Sequence, residues 1–325
     1  MSSPLLRVVP RRSQSAAQAK PSMKQNTPSR TALTTALIRA HHSRLDGAPL
    51  IHDLWGDRLV PDSFRTELHA WVNGDTSSTQ SSQSGGTLDG YLGKVGSYAS
   101  VIFRARFAED ALAKAICQGV RQYVQIGAGF DSYALRRPPV ASEVAVYELD
   151  HPSTQQLKLQ RLVECGVQIP DRVHFVGADL GEESLKDALR RAPFRFDEPA
   201  FFSWLGVTVY LTREANLASL KAIAECGTDQ SSLVFTYTDE RALRPDGASE
   251  SFQRMRRNAA ALGEPFLCGF DPKEMPGLLA GVGFEICEDL SGIELAARYE
   301  RPMVPPLVPS PLSRVVLARV AQAIR

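Results

Sequence analysis

Beyond residue 120 the chain alternates short apolar runs with helix-length stretches, and this alternation restricts its fold more than any other feature. YVQI (123–126), VAVYEL (144–149), RVHFVG (172–177), AFFSWL (200–205) and SSLVFTYT (231–238) read as strands. DSYALR, PSTQQLKLQRLVECG, EESLKDALRRA and REANLASLKAIAECG, which lie between them, read as helices. Pro152 suits a first helical turn, and Gly166 and Gly227 suit helix ends. Strands joined by helices of about 10–15 residues build a doubly wound, mostly parallel sheet, because parallel neighbours need a crossover on one face. SESFQRMRRNAAALG and DPKEMPGLLAGVG read as two more helices, and FEICEDL and SRVVLARVAQ as closing strands. No long helix separates those last two, so one of the seven strands is expected to pair antiparallel.

The segment before this α/β region has a different character. The first acid is Asp46, whereas Arg7, Arg11, Arg12, Lys20, Lys24, Arg30, Arg39 and Arg44 all precede it. Residues 1–27, rich in Ser, Ala, Gln and Pro, are expected to form a disordered basic tail, with Met23 as an alternative start. A targeting peptide is the other reading, opposed by Pro4, Pro10 and Pro21. From Pro28 the pattern turns helical: SRTALTTALIRAHHSRL places Leu33, Leu37 and Ala40 on one face behind the cap-like Ser29. SYASVIFRARFAEDALAKAI is a second helix. GDTSSTQSSQSGGTLDG (74–90) has nothing to bury and reads as a flexible loop or a lid. Residues 28–325 are expected to form one domain, with a helical cap over 28–115 and an α/β core over 116–325.

Composition narrows the function classes. The net charge of +1 provides no field for nucleic acid or a membrane surface. AFFSWLGVTVYL is the longest apolar run and is too short to span a bilayer. The five cysteines, Cys117, Cys165, Cys226, Cys268 and Cys287, are odd in number and scattered. They indicate a reducing, cytoplasmic compartment and no metal site.

The chemistry gathers around QIGAGFDS (125–132). A strand, a glycine turn and a helix make a nucleotide-binding arrangement, in which Gly127 and Gly129 let a ligand approach the backbone. The next strand ends at Asp150, where a carboxylate can accept both hydroxyls of a ribose. The third ends at Asp179-Leu180, where an acid can meet an adenine amino group while the leucine packs on its ring. A dinucleotide would set its pyrophosphate on the helix N-terminus. Here Ser132 replaces the third glycine, and Asp131 would sit beside that phosphate, a repulsion of about 1 kcal/mol or more at 4 Å. A sulfonium cofactor has no phosphate and tolerates the acid, so S-adenosylmethionine fits better. Asp131 also reads as a plain helix cap. A nicotinamide-dependent oxidoreductase, and a cofactor-binding protein without catalysis, stay as alternatives.

SRTALTTALIRA, YVQIGAGFDSYALR, YELDHPSTQQLKLQRL, HFVGADL and FFSWLGVTVYLT occur in this order. Together they resemble the leucine carboxyl methyltransferase family, in particular its bacterial S-adenosylmethionine-dependent branch, from about Pro28 to the C-terminus. The resemblance implies a Rossmann-like, seven-stranded methyltransferase sheet and the cofactor S-adenosylmethionine. It implies that Arg104 grips the cofactor's carboxylate, with Arg106 as the competing choice. It implies that Gly127 and Gly129 line the cofactor, Asp150 holds its ribose, and Asp179 and Leu180 hold its adenine. Ser29 and Arg30 fall where relatives have a basic contact. Trp204-Leu205 stands where the eukaryotic protein-modifying members have an acid, which weakens transfer of their protein substrate.

Methyl transfer needs alignment above all, worth roughly 7–11 kcal/mol. A carboxylate acceptor is already ionised and needs no base, whereas a hydroxyl usually does. No Ser/His/Asp order or helical His pair marks such a base, and no catalytic residue is assigned. His151 flanks the cofactor position, His174 reads as structural, and Tyr210 could face the methyl group. Arg254, Arg256 and Arg257 could meet an acidic substrate or simply be solvated. The expected partner is a small molecule or peptide with a carboxylate or hydroxyl. The sequence leaves the oligomeric state open.

Overall fold

The computed structural model describes residues 28–74, 87–247, 249–261, 263–299 and 307–321. The basic tail 1–27 and residues 75–86 of the Gly/Ser/Thr stretch lie outside the described residues. At its margins that stretch is helical rather than loop. The helix Asp62–Gly74 runs to its start, and Thr87 caps the helix Leu88–Leu92 by accepting from the Gly90 N–H.

Seven strands form one sheet: β1 (Gln122–Ile126), β2 (Ala145–Asp150), β3 (Val173–Gly177), β4 (Ala200–Trp204), β5 (Ser232–Thr238), β6 (Phe284–Ser291) and β7 (Ser313–Val320), in the spatial order β3-β2-β1-β4-β5-β7-β6. β1 pairs parallel with both β2 and β4, Gln122 facing Ala145 on one side and Ala200 on the other. β7 alone is antiparallel, to both β5 and β6. The chain therefore winds outward in opposite directions from β1 and β4, which opens a crevice at their C-terminal ends.

The period of 2 sends successive side chains to opposite faces. Along β4, Phe201 joins the core shared with the N-terminal helices, and Phe202 and Trp204 bracket Ser203 by entering and closing the core on the other face. The helices α1 (Arg30–Leu45), α2 (Trp55–Leu59), α3 (Asp62–Gly74), α4 (Leu88–Leu92) and α5 (Tyr98–Cys117) precede the sheet. Within the sheet region follow α6 (Tyr133–Arg136), α7 (Pro152–Glu164), α8 (Leu185–Arg190), α9 (Arg213–Cys226), α10 (Glu250–Ala261), α11 (Met275–Gly281) and α12 (Gly292–Arg298). α8 and α11 are shorter than their sequence patterns. Ser184 caps α8 through the Asp187 N–H, so the helix starts after it, and Pro276 sits in the first turn of α11. α12 was not expected. Its signal is the capping box Ser291-x-x-Glu294, in which each side chain satisfies the other residue's backbone N–H.

α1 starts where expected, with Ser29 accepting from the Ala32 N–H. It is buried on more than the Leu33–Leu37–Ala40 face, since Arg39, His41 and His42 are buried too. The polar members are all engaged. Arg39 donates to Asp53 and to the Phe130 carbonyl, both at 2.7 Å. His42 Nε2 accepts from the Leu50 N–H at 3.2 Å, and its Nδ1 meets the Tyr98 hydroxyl at 3.4 Å. Nε2 must be unprotonated to accept, so His42 is held neutral, and burial lowers its pKa. The unfolded chain then takes up a proton first as pH falls below about 6.5, so stability is full above that pH and declines below it. His42→Gln is expected to flatten the pH dependence of Tm between about pH 6.5 and 5. An unchanged slope would place the titrating group elsewhere.

Candidate active site

The crevice at the β1/β4 reversal opens into a cavity of about 1010 Å³. That is at the upper end of small-molecule pockets, roughly 300–1,000 Å³. Its floor is the loop after β1. Gly127 and Gly129 have φ of +67° and +53°. A Cβ on Gly127 would sit 2.6 Å from Val207 Cγ2, and one on Gly129 would sit 2.9 Å from Ala32 Cβ. Glycine is therefore demanded twice over, by the left-handed backbone and by close packing under α1. Asp150, at the tip of β2, fastens this loop by accepting from the Gly129 and His151 N–H groups. Burial pushes its pKa up against those two bonds. Both oxygens retain a lone pair for a further donor.

Asp131 ends the loop as a cap, accepting from the Tyr133 N–H at 2.8 Å. Burial would raise its pKa, but Arg39, Arg136 and Lys158 outweigh burial and hold it low. The three cations also reduce the repulsion that Asp131 could offer a phosphate. The stronger argument against a pyrophosphate is α6 itself: four residues long, it has little helix dipole, and Asp131 already occupies one of its N–H groups. Beneath the loop, Lys158 donates to the Asp131 carbonyl at 2.6 Å and forms a fully buried ion pair with Glu148.

Asp179 lies on the cavity wall, in a turn where it accepts from the Gly181 N–H. Leu180 does not reach the cavity. It is 37% exposed on the outside of that turn, while Gly181 and Glu182 are on the wall. His151 is on the wall 3.8 Å from Asp179, and its Nδ1 caps α7 through the Ser153 N–H. His174 stacks on Tyr147, away from the cavity, with centroids 5.0 Å apart.

Helical phase separates the two arginines of α5. Arg104 faces the cavity, packed so closely on Gly206 that a Cβ there would touch its guanidinium. It forms no ion pair among the described residues, and burial lowers its pKa to about 10. It remains charged at neutral pH and is suited to a carboxylate. Arg106, two residues on, points away to Asp110 and the Leu50 carbonyl. Of the N-terminal pair, Ser29 reaches the cavity, whereas Arg30 turns to Glu67 at 2.8 Å. Arg254 is at the rim near Glu250, Arg256 bonds the Leu243 carbonyl, and Arg257 is exposed.

Tyr210 follows β4 on the cavity wall, which Thr31 of α1 also lines. Burial pushes its pKa up to about 12, so it stays protonated. Beside it lies Phe266, and beyond that Phe252. Trp204 is buried, and Leu205 lines the cavity. Among the described residues no cluster of His, Cys, Asp and Glu could hold a metal. All five cysteines are free, and no described helix is long and apolar enough to cross a membrane.

The family model for leucine carboxyl methyltransferase matches residues 32–224, more than half of the chain. The chain belongs to the leucine carboxyl methyltransferase family. A candidate S-adenosyl-L-methionine-dependent methyltransferase of Bacillus subtilis (strain 168), YktD, is 32% identical over 277 residues, covering 83% of this chain and 90% of that protein. A similarly described protein of Parafrankia sp. (strain EAN1pec) is 32% identical over 235 residues, 72% of this chain and 69% of its own. The fold is shared with a candidate methyltransferase of Thermobifida fusca YX (TM-score 0.51, 16% identity, 88% of this chain and 94% of that one). It is also shared with a duf574 family protein of Streptomyces avermitilis MA-4680 (TM-score 0.52, 15% identity, 91% and 98%). This leucine carboxyl methyltransferase family member is an S-adenosylmethionine-dependent methyltransferase. Membership in that family removes the oxidoreductase and the non-catalytic alternatives.

One residue of the family member's cavity escaped the sequence reading. Glu264 lines it from the segment after α10, accepting at Oε1 from Ser29 at 3.1 Å. A lone acid in an irregular segment carries no local signal of its position.

Proposed function

We propose that the enzyme transfers the methyl group of S-adenosylmethionine to a carboxylate oxygen of a small molecule or a peptide terminus. The observation that carries this reading is the unpaired Arg104 guanidinium on the same cavity wall as Gly127, Gly129, Asp150 and Asp179. A cation without a counter-charge fits the cofactor's carboxylate, and Asp150 with free lone pairs fits its ribose diol. Asp179 fits the adenine amino group, with Gly181 in place of Leu180 as its cavity neighbour. The cofactor supplies an activated methyl carbon on a sulfonium. The residues of the chain supply alignment and exclude water. Gly127 and Gly129 let the ligand lie against the backbone, and Leu205, Val207 and Phe266 form apolar walls. Tyr210, protonated, can donate to an acceptor carboxylate but cannot serve as its base at neutral pH. An ionised carboxylate needs none. Residues 28–325 act in this reading as one unit, with the N-terminal helices roofing the cavity. The five free cysteines suit a cytoplasmic location.

Two measurements test this. S-adenosylhomocysteine should raise Tm while NADH leaves it unchanged, because a ligand selective for the native state stabilises it. Methyl groups from labelled cofactor should appear in base-labile esters when carboxylic acids are supplied. Base-stable products alone would refute the carboxylate assignment.

A further inference from the structure

One acid on the cavity wall, Glu264, is not among the residues assigned to the cofactor. Glu264 Oε2 is buried and has no hydrogen-bond partner among the described residues. Glu264 also forms no ion pair among them. Its other oxygen is fixed by a polar chain: Ser29 Oγ donates to Oε1, and Ser29 meets Thr31 Oγ1 at 3.1 Å. The start of α1 thereby fixes a carboxylate that lies 235 residues away in sequence. The aromatic rings of Tyr210, Phe266 and Phe252 line the same cavity, with successive centroids 5.5 Å and 6.0 Å apart. A buried carboxylate oxygen left without a donor is costly, and the group that relieves it best is a cation. Aromatic faces favour a cation as well.

Resting on the carboxyl-methylation reading, we infer that the methyl acceptor carries a protonated amine, bound by Glu264 in the cavity these aromatic rings line, on an otherwise apolar body. The acceptor is thus zwitterionic before reaction, with its carboxylate methylated and its ammonium recognised. S-adenosylmethionine also has an ammonium, so the test separates the two sources.

Binding is measured in the presence of S-adenosylhomocysteine, using matched pairs of probes: 3-phenylpropanoate and alkanoates of increasing length, each bearing either a free amine or its acetamide. The wild type should bind at least one free amine about 10- to 100-fold tighter than its acetylated partner. Glu264→Gln retains the shape and the Ser29 bond and should remove that preference, with the Kd for S-adenosylhomocysteine unchanged. With a turned-over probe the loss should fall on KM. If no free amine is preferred, the inference is wrong. It is also wrong if Glu264→Gln weakens S-adenosylhomocysteine but not an analogue lacking the ammonium, since the cofactor is then the cation. A fall in kcat at constant KM would make Glu264 a base and equally overturn it. Intact S-adenosylhomocysteine binding by the wild type in these failures would leave the methyltransferase reading standing.

Discussion

Arg104→Ala is expected to weaken S-adenosylhomocysteine binding by about 2–5 kcal/mol, on the order of 30- to several-thousand-fold in Kd. The reasoning starts from the free protein. Arg104 has no counter-ion among the described residues, and burial lowers its pKa to about 10. Removing a desolvated, unpaired cation should not cost folding stability, so the apo Tm should hold or rise. The ligand-induced rise in Tm should nevertheless disappear. Arg106→Ala is the control. Its partners are Asp110 and the Leu50 carbonyl, it is partly exposed, and its loss should change binding little. Arg104→Lys should recover only part of the affinity, because an ammonium cannot make the two parallel bonds of a guanidinium. Calorimetric titration of the three variants decides the matter. Normal binding by Arg104→Ala would remove this residue from the cofactor site.

Lys158→Met should give the largest loss of stability. Lys158 and Glu148 are both 2% exposed, so the substitution leaves a carboxylate buried without its partner. Breaking such a pair costs about 3–5 kcal/mol, a fall in Tm on the order of 10 °C for a chain of this size. The same side chain bonds the Asp131 carbonyl, so the glycine loop after β1 loses an anchor too. The sign of the pH dependence follows from Glu148. Burial already raises its pKa, and Lys158 opposes that rise. Without Lys158 the folded state holds the Glu148 proton more tightly than the unfolded chain does. The variant is then least impaired near and below the ordinary carboxylate range, about pH 4.3, and loses stability as pH rises through the raised value. A double variant, Glu148→Leu with Lys158→Met, removes both charges and should recover most of the loss, leaving only the unsatisfied Asp131 carbonyl. Denaturant titrations between pH 5 and 8 would show a widening deficit for the single variant. A deficit that stays flat with pH would mean that Glu148 is not the charge involved.

The fold was legible because its determinants are local. The strands from Tyr123 to Thr238 lie fully or largely within their predicted runs. Their helices end at the stops read from Gly166 and Gly227. The antiparallel member of the closing pair followed from the short connection, although that connection also holds α12. The errors sit where a cap or a proline overrides periodicity, as at Ser184 and Pro276. The site was legible in part. Gly127, Gly129, Asp150 and Asp179 follow strand ends, and the crossover rule carries such positions to one edge of a sheet. Leu180 shares the strand end with Asp179 but not its direction: one residue along a turn sends the side chain outward.

The sequence by itself determined the wound sheet, the two left-handed glycines after β1 and the acids at the strand tips, because each depends on neighbours within a few residues. Tertiary structure turned Arg104 to the cavity and Arg106 to Asp110, surrounded Asp131 with Arg39, Arg136 and Lys158, and brought Glu264 to Ser29 across 235 residues. Charge balance in a buried site is a sum over side chains from separate elements. Only packing sets which of those charges meet a partner and which is left to a ligand.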